Sequence, residues 1–196
     1  MNLILRTTFI INIFIGSLNG VDFTKMLKFA CEMNKLKTDI NIVLLDGTNY
    51  YLDSVPLYHL DFMDSMRIQY NIPFEIYYRL IYKESRFKHN IYSHAGAIGY
   101  AQVMPQTFEW VSQNHLTHIY DINNAYHNIE CGAFLLKHLK DKIDQKYPKD
   151  NEHKKWKRVL ASYNAGYSRH VKAMKSFPET KDYIAFIQKN HGRSLH

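Results

Sequence analysis

Between residues 72 and 105 the spacing of apolar side chains changes from helical to irregular, and the chemistry of the chain gathers where it changes. Phe74, Tyr77, Leu80 and Ile81 recur at helical spacing behind Pro73, whose missing N–H suits the first position of a helix. The pattern predicts a helix opening at Pro73, with Glu84 at the end of its apolar face, one turn beyond Leu80 and Ile81. After Ser85 the helical spacing stops. A polar loop then leads to Gly96-Ala97-Ile98-Gly99 and to the apolar run Tyr100-Ala101-Gln102-Val103-Met104-Pro105. Two glycines three residues apart permit tight turns or the close approach of a ligand.

The same reading extends in both directions. Phe23, Met26, Leu27, Ala30 and Met33 predict a helix over residues 23–35, and the β-branched run at 41–45, the Asp46-Gly47 turn and residues 50–55 predict a hairpin. Pro56 separates these from a helix at about residues 60–70. Pro105 opens a further helix with Phe108, Val111 and Ser112 turned inward. Residues 121–124 read as a helix start with Asp121 as cap. From there Ile129, Ala133, Leu136, Leu139 and Ile143 mark an amphipathic helix that ends before Pro148. A last helix is expected over residues 180–190. Residues 1–20 have the layout of a secretory leader: Arg6, an apolar run over 9–15, then small and polar residues. The expected division is a leader or N-terminal anchor at 1–20, a helix and hairpin extension at 21–58, and a catalytic domain at 59–196.

Composition narrows the class. A chain of 196 residues holds one domain of ordinary size beside a leader, and an excess of 25 − 18 = 7 basic over acidic side chains favours anionic polymers. Residues 137–158 carry nine Lys and Arg against four Asp and Glu, which reads as a solvated helix face. No nucleic-acid motif accompanies it. Eleven histidines form no His-Glu-x-x-His pair, and Cys31 and Cys131 lack metal-ligand spacing; no metal or cofactor is expected, and both thiols are read as buried or free. Gly-x-Ser-x-Gly and phosphate-binding loops are absent.

Carboxylate chemistry is what remains. A Glu held neutral near working pH by apolar surroundings can protonate the departing oxygen of a glycosidic bond, and Glu84 is placed for that. The usual glycosidase adds a second carboxylate. Glu109, Asp121, Glu130 and Glu179 are the candidates, but Glu109 and Glu130 fall on exposed faces of the expected helices and Asp121 on a cap.

Four motifs in order carry a resemblance: Glu84-Ser85; Gly96-x-x-Gly99-x-x-Gln102-x-Met104-Pro105; Tyr163-Asn164-Ala165-Gly166; and Glu179-Thr180-x-x-Tyr183. Together they resemble the soluble lytic transglycosylase family, and Asn128-Ile129-x-x-Gly132 matches a further pattern of that family in what reads as a scaffold helix. One departure is Tyr100-Ala101 where the family usually has Leu-Met, expected to alter the cleft wall. The resemblance implies a mainly α-helical α+β, lysozyme-like fold with a small β element. It implies that Glu84 acts first as acid and then as base on the glycan strands of peptidoglycan, assisted by the substrate's 2-acetamido group, leaving 1,6-anhydromuramyl ends. It further implies that Ser85, Gln102, Met104, Tyr163 and Asn164 line the cleft, that Tyr183 reaches toward Glu84, and that Glu179 supports them or caps its helix. The expected protein is a monomer, periplasmic or secreted or held at the membrane by its N-terminus. Its partners beyond the glycan are cell-envelope or secretion-apparatus components, with no nucleic acid. The rival readings are a goose-type lysozyme that uses water as acceptor, an inactive glycan-binding module, and a basic nucleic-acid binder.

Overall fold

The computed structural model describes residues 10–14, 39–43, 49–51 and 55–188. The expected helix at 23–35 and most of the leader-like segment lie outside these residues. The chain divides into two compact units, one reaching to Asp61 and the other beginning at Phe62.

The first unit contains a three-stranded sheet. Strand β1 (Ile10–Phe14) pairs in parallel with β2 (Asp39–Val43), Ile10 opposite Asp39, and β2 pairs antiparallel with β3 (Asn49–Tyr51), Ile42 opposite Tyr50. The expected hairpin is β2–β3. Helix α1 (Leu57–Gln69) begins in this unit and continues into the next.

The second unit is built from helices: α2 (Phe74–Ser85), α3 (Pro105–Asn114), α4 (Ala125–Lys146), α5 (Glu152–Ala165), α6 (His170–Ser176) and α7 (Pro178–Ile187), with one 3-10 turn at Tyr167–Arg169. Its small β element consists of two bridges, Ile98 to Tyr92 and Ile98 to Val103. The described residues are mainly helical. Among the described residues no helix is long and apolar enough to cross a membrane.

Two helix starts differ from the expectation. Asp121 does not cap α4: its carboxylate accepts from Asn123 N at 2.9 Å in a local turn. The cap is Asn124, whose side chain accepts from the backbone N–H groups of Tyr126 and His127. Asp and Asn both suit a helix cap, and with Asp121 and Asn124 three residues apart the turn uses the earlier one. The face of α4 that carries Glu130 is also not exposed. Glu130 is buried beside Cys131, and its Oε2 meets His118 Nε2 at 2.9 Å. Cys131 is a free, buried thiol pushed up to about 12 by desolvation, and Cys31 lies outside the described residues.

Candidate active site

Helix α2 places Glu84. Pro73 occupies the N-cap position in extended backbone (φ −58°, ψ 136°), so the helix begins one residue later than the sequence suggests. Ile76, Tyr77, Tyr78, Arg79, Leu80 and Ile81 are all buried, which makes α2 a core helix covered nearly all round rather than a helix with one apolar stripe. Its last turn ends abruptly. Arg86 and Phe87 both take left-handed backbone (φ 50° and 58°), a conformation that costs non-glycine residues about 1–2 kcal/mol each. The strain is held by Phe87, which is buried against the rings of Tyr78 and Tyr82. The chain therefore leaves the helix axis one residue past Ser85, and the next turn that would have covered Glu84 is missing.

Helix α7 supplies the partner. Tyr82 stacks on Phe186 at 6.0 Å and Lys83 lies over the same ring, which fixes α7 along the end of α2. Three residues before Phe186, Tyr183 faces the same way and donates its hydroxyl hydrogen to Glu84 Oε1. Burial pushes the Glu84 carboxyl up to about 7, while the Tyr183 bond and the Lys83 charge pull it back toward the ionised form. Tyr183 itself is buried, and burial together with the Glu84 charge raises its hydroxyl well above the usual tyrosine value, so it stays a donor.

A strip of backbone from Ile98 to Met104 forms a floor under Tyr163, whose hydroxyl lies within reach of the Glu84 charge. Gly96 and Gly99 have φ of 87° and 79°, and at Gly99 a side chain would also collide with the amide of Asn128. Gln102 is left-handed as well (φ 47°), and its Nε2 donates to Gly99 O at 2.9 Å and Ile91 O at 3.3 Å, tying the turn to itself. From α4, Asn128 accepts from Ala101 N at 3.0 Å and donates to Ile98 O at 2.9 Å. One turn later Gly132 lets Ala101 into a space that a β-carbon would fill. From α5, Tyr163 donates to Ala101 O at 2.7 Å, and its hydroxyl is raised well above its usual value by burial and by the Glu84 charge. A five-residue pattern read as scaffold thus clamps the floor.

The expected site residues divide into two groups. Tyr183 pairs with Glu84, Tyr163 feels the Glu84 charge, Gln102 bonds within the strip that Tyr163 holds, and Met104 stands at the N-cap of α3, 42 % exposed. Ser85 is buried and donates to Ile81 O at 3.0 Å within its own helix. Asn164 accepts from Thr180 Oγ1 at 2.8 Å, which joins the end of α5 to the start of α7. Glu179 is exposed in the first turn of α7, and it is the buried Thr180 beside it that makes the contact. Thr180 carried no expected role. The Thr-x-x-Tyr spacing, which puts Thr180 and Tyr183 on one face of a helix, is the signal that finds it. The Tyr100-Ala101 departure is not on the cleft wall either: both residues are buried, because the floor turns their side chains into the core.

Gln102, Met104 and Tyr163 line a pocket of about 280 Å³ together with Trp110, His138 and Lys142, and Glu84 is not part of its lining. Of the other carboxylates, Glu109 is exposed and accepts from Gln113 at 3.1 Å, and Asp121 and Glu130 have the local partners given above.

Residues 62–186, almost two thirds of the chain, match the family model described as the transglycosylase SLT domain. Two solved structures are similar in fold. One is an inactive mutant of the lytic transglycosylase Slt from Pseudomonas aeruginosa, with a TM-score of 0.53 and 19 % identity over 69 % of this chain and 24 % of that one. The other is the 70 kDa soluble lytic transglycosylase from Escherichia coli, with a TM-score of 0.54 and 20 % identity over 72 % of this chain and 26 % of that one. The chain therefore spans about a quarter of the length of these two proteins.

Proposed function

The chain belongs to the transglycosylase SLT domain family, and from that premise we propose that it is a peptidoglycan lytic transglycosylase with Glu84 as its acid and base. The observation that carries the reading is a single carboxyl, desolvated at a helix end, held by a tyrosine hydroxyl and bordered by a clamped backbone floor. With its pKa raised to about 7, Glu84 is protonated in a large share of molecules at neutral pH and can release that proton within the same range. The proton passes to the glycosidic oxygen linking muramic acid to glucosamine as the C1–O4 bond breaks. The 2-acetamido oxygen of the muramyl unit stabilises the cation. The carboxylate then takes the proton of the 6-hydroxyl as O6 bonds to C1, closing a 1,6-anhydro ring without consuming water.

Gln102, Met104, Tyr163 and Tyr183 form the wall and floor for that sugar in this reading, with residues 59–196 as the catalytic domain. Ser85 and Asn164 contribute by shaping the end of α2 and the joint between α5 and α7. The enzyme acts outside the cytoplasmic membrane, where its substrate lies, and the leader-like residues 1–20 fit that place.

Product analysis separates this mechanism from its hydrolytic rival. Mass spectrometry of digested peptidoglycan is expected to find 1,6-anhydromuramyl ends, and to find them still in Glu109→Gln, Glu130→Gln and Glu179→Gln. The first two should retain rates within a few-fold of the parent. Free reducing muramic acid, lost on replacing one of these carboxylates, would mean that water is the acceptor.

Tyr183→Phe tests the partner. The lost hydrogen bond favours the ionised form of Glu84, so without it the carboxyl holds its proton to higher pH. The alkaline limb of the pH profile for wall lysis is expected to move upward, with a reduced maximum. A limb that stays in place or moves down would exclude Tyr183 as a setter of the acid.

A further inference from the structure

Five residues before Glu84 in helix α2, Arg79 lies in the core with 1 % of its surface exposed. Taking a cation out of water is costly, and an apolar side chain of similar volume would fill the place with less penalty. What a guanidinium adds is a rigid fork of donors that serves two acceptors at once. Its Nε donates to Glu75 Oε2 at 3.0 Å, one turn earlier in α2, which matches the charge. Its Nη1 donates to Phe186 O at 3.5 Å, across the contact with α7. That carbonyl lies in the last turn of α7, where backbone acceptors have no partner inside the helix and the helix dipole favours a cation. Thr180, Tyr183 and Phe186 follow one another at three-residue intervals along α7. The first is tied to α5 through Asn164 and the last to α2 through Arg79, so Tyr183 stands midway, one turn from each tether. Tyr82 and Lys83 hold the Phe186 ring. Ring contacts of that kind tolerate sliding, whereas a hydrogen bond to the carbonyl fixes the backbone itself.

We propose that Arg79 is a positioning residue for the Glu84–Tyr183 pair: its guanidinium fixes the last turn of α7 against α2 and so sets the Tyr183 hydroxyl on the Glu84 carboxyl. This role rests on the assignment of Glu84 and Tyr183 above and adds to it a support buried in the core, out of reach of substrate. The groups that bear on Glu84 itself are Tyr183 from α7, Tyr163 from α5 and Lys83 from its own helix. Of these only Tyr183 is carried on α7. Its hydrogen bond favours the ionised carboxylate, so a shift of α7 that weakens the bond lets Glu84 keep its proton to higher pH.

The test is titration of the Glu84 carboxyl by carbon NMR in the full chain, its signal assigned by its loss in Glu84→Gln, beside the pH profile of wall lysis. In Arg79→Met the carboxyl should titrate about half a pH unit higher than in the parent, in the direction of Tyr183→Phe and short of it, because a bond to an ionised group weakens with misalignment before it is lost. The alkaline limb of lysis should follow, and lysis at the optimum should fall by about 10-fold, short of the roughly 100-fold that a misplacement of about 1 Å can bring. Arg79→Lys keeps the charge and can still meet Glu75, but an ammonium has no second fixed branch for Phe186 O, so the same upward shift is expected. It also carries the test where the methionine variant does not fold. In a chain that already has Tyr183→Phe, Arg79→Lys should move the titration no further. An equal shift in both backgrounds would mean that residue 79 acts on Glu84 by a route other than Tyr183, and an unmoved titration in Arg79→Lys would mean that α7 keeps its place without the fork; either overturns the positioning role. If Tyr183→Phe itself leaves the titration where it is, the assignment of Tyr183 falls and this role with it. The NMR readout does not depend on lysis, so a failure of the glycan reading shows separately, as a chain that titrates as expected and leaves peptidoglycan intact.

Discussion

Glu84→Gln is expected to lower lysis of purified peptidoglycan by at least about 100-fold, the usual share of a general acid, while making the protein harder to unfold at neutral pH. The two effects have one cause. Burial raises the carboxyl to about 7 from an unfolded value of 4.5, so the folded protein binds the proton more tightly than the unfolded chain does. The stabilisation this gives is complete below pH 4.5 and is lost as pH rises through about 7, above which the folded state holds an ionised carboxylate in a poorly solvated place. Its cost is on the order of 2 kcal/mol, discounted for the partial exposure of the group. Glutamine has the same shape and no charge. At pH 8 the variant should melt above the parent, and the difference should close as the pH is brought to 4. A variant that loses activity and melts lower at pH 8 would mark Glu84 as structural. One that keeps near-parental turnover would send the search for the acid to Glu179.

That coupling of burial to chemistry was partly legible in the sequence. Local periodicity locates α2 to within a residue and puts Glu84 at the end of its apolar run, because side chains four apart in a helix share a face whatever surrounds it. Periodicity does not report what packs on the remaining faces. The burial of Arg79, whose Nη1 reaches Phe186 O, and of Glu130, whose Oε2 meets His118, involves partners outside the helix that carries each, which a reading made one helix at a time does not reach. The floor is the clearest case. Nothing local to Tyr100 and Ala101 says which side of the strip they occupy. The side is set by Asn128, which pairs with the backbone on both sides of Gly99 and brings α4 close enough that only a glycine fits one turn later. The Asn-x-x-x-Gly spacing was visible, but its meaning required knowing what lies against that face.

Replacing that glycine is expected to have the second largest effect. In the middle of an isolated helix, Gly132→Ala would stabilise by about 1 kcal/mol, since alanine has less backbone freedom to lose. Here the new β-carbon overlaps the β-carbon of Ala101 and stands 3.8 Å from its Cα, with the Tyr163 hydroxyl 3.5 Å away. The clashing atom is a β-carbon fixed to the backbone, not the far end of a flexible side chain. The strip has to move, and overpacking of this kind costs about 1–3 kcal/mol, so the sign of the substitution is reversed and the melting temperature should fall. Ala101 is also the residue whose carbonyl accepts from Tyr163 and whose neighbour is Gln102. A displacement of about 1 Å there separates the floor from Glu84, and misplacement on that scale can cost about 100-fold in rate. The acid itself is untouched, so the pH at which the remaining activity falls should not move, unlike in Tyr183→Phe. Ala101→Gly in the same chain removes the opposing methyl group and should recover much of both losses, which a general destabilisation of α4 would not allow. A stable, fully active Gly132→Ala protein would mean that the floor has slack, and that its position beside Glu84 is not what the clamp from α4 controls.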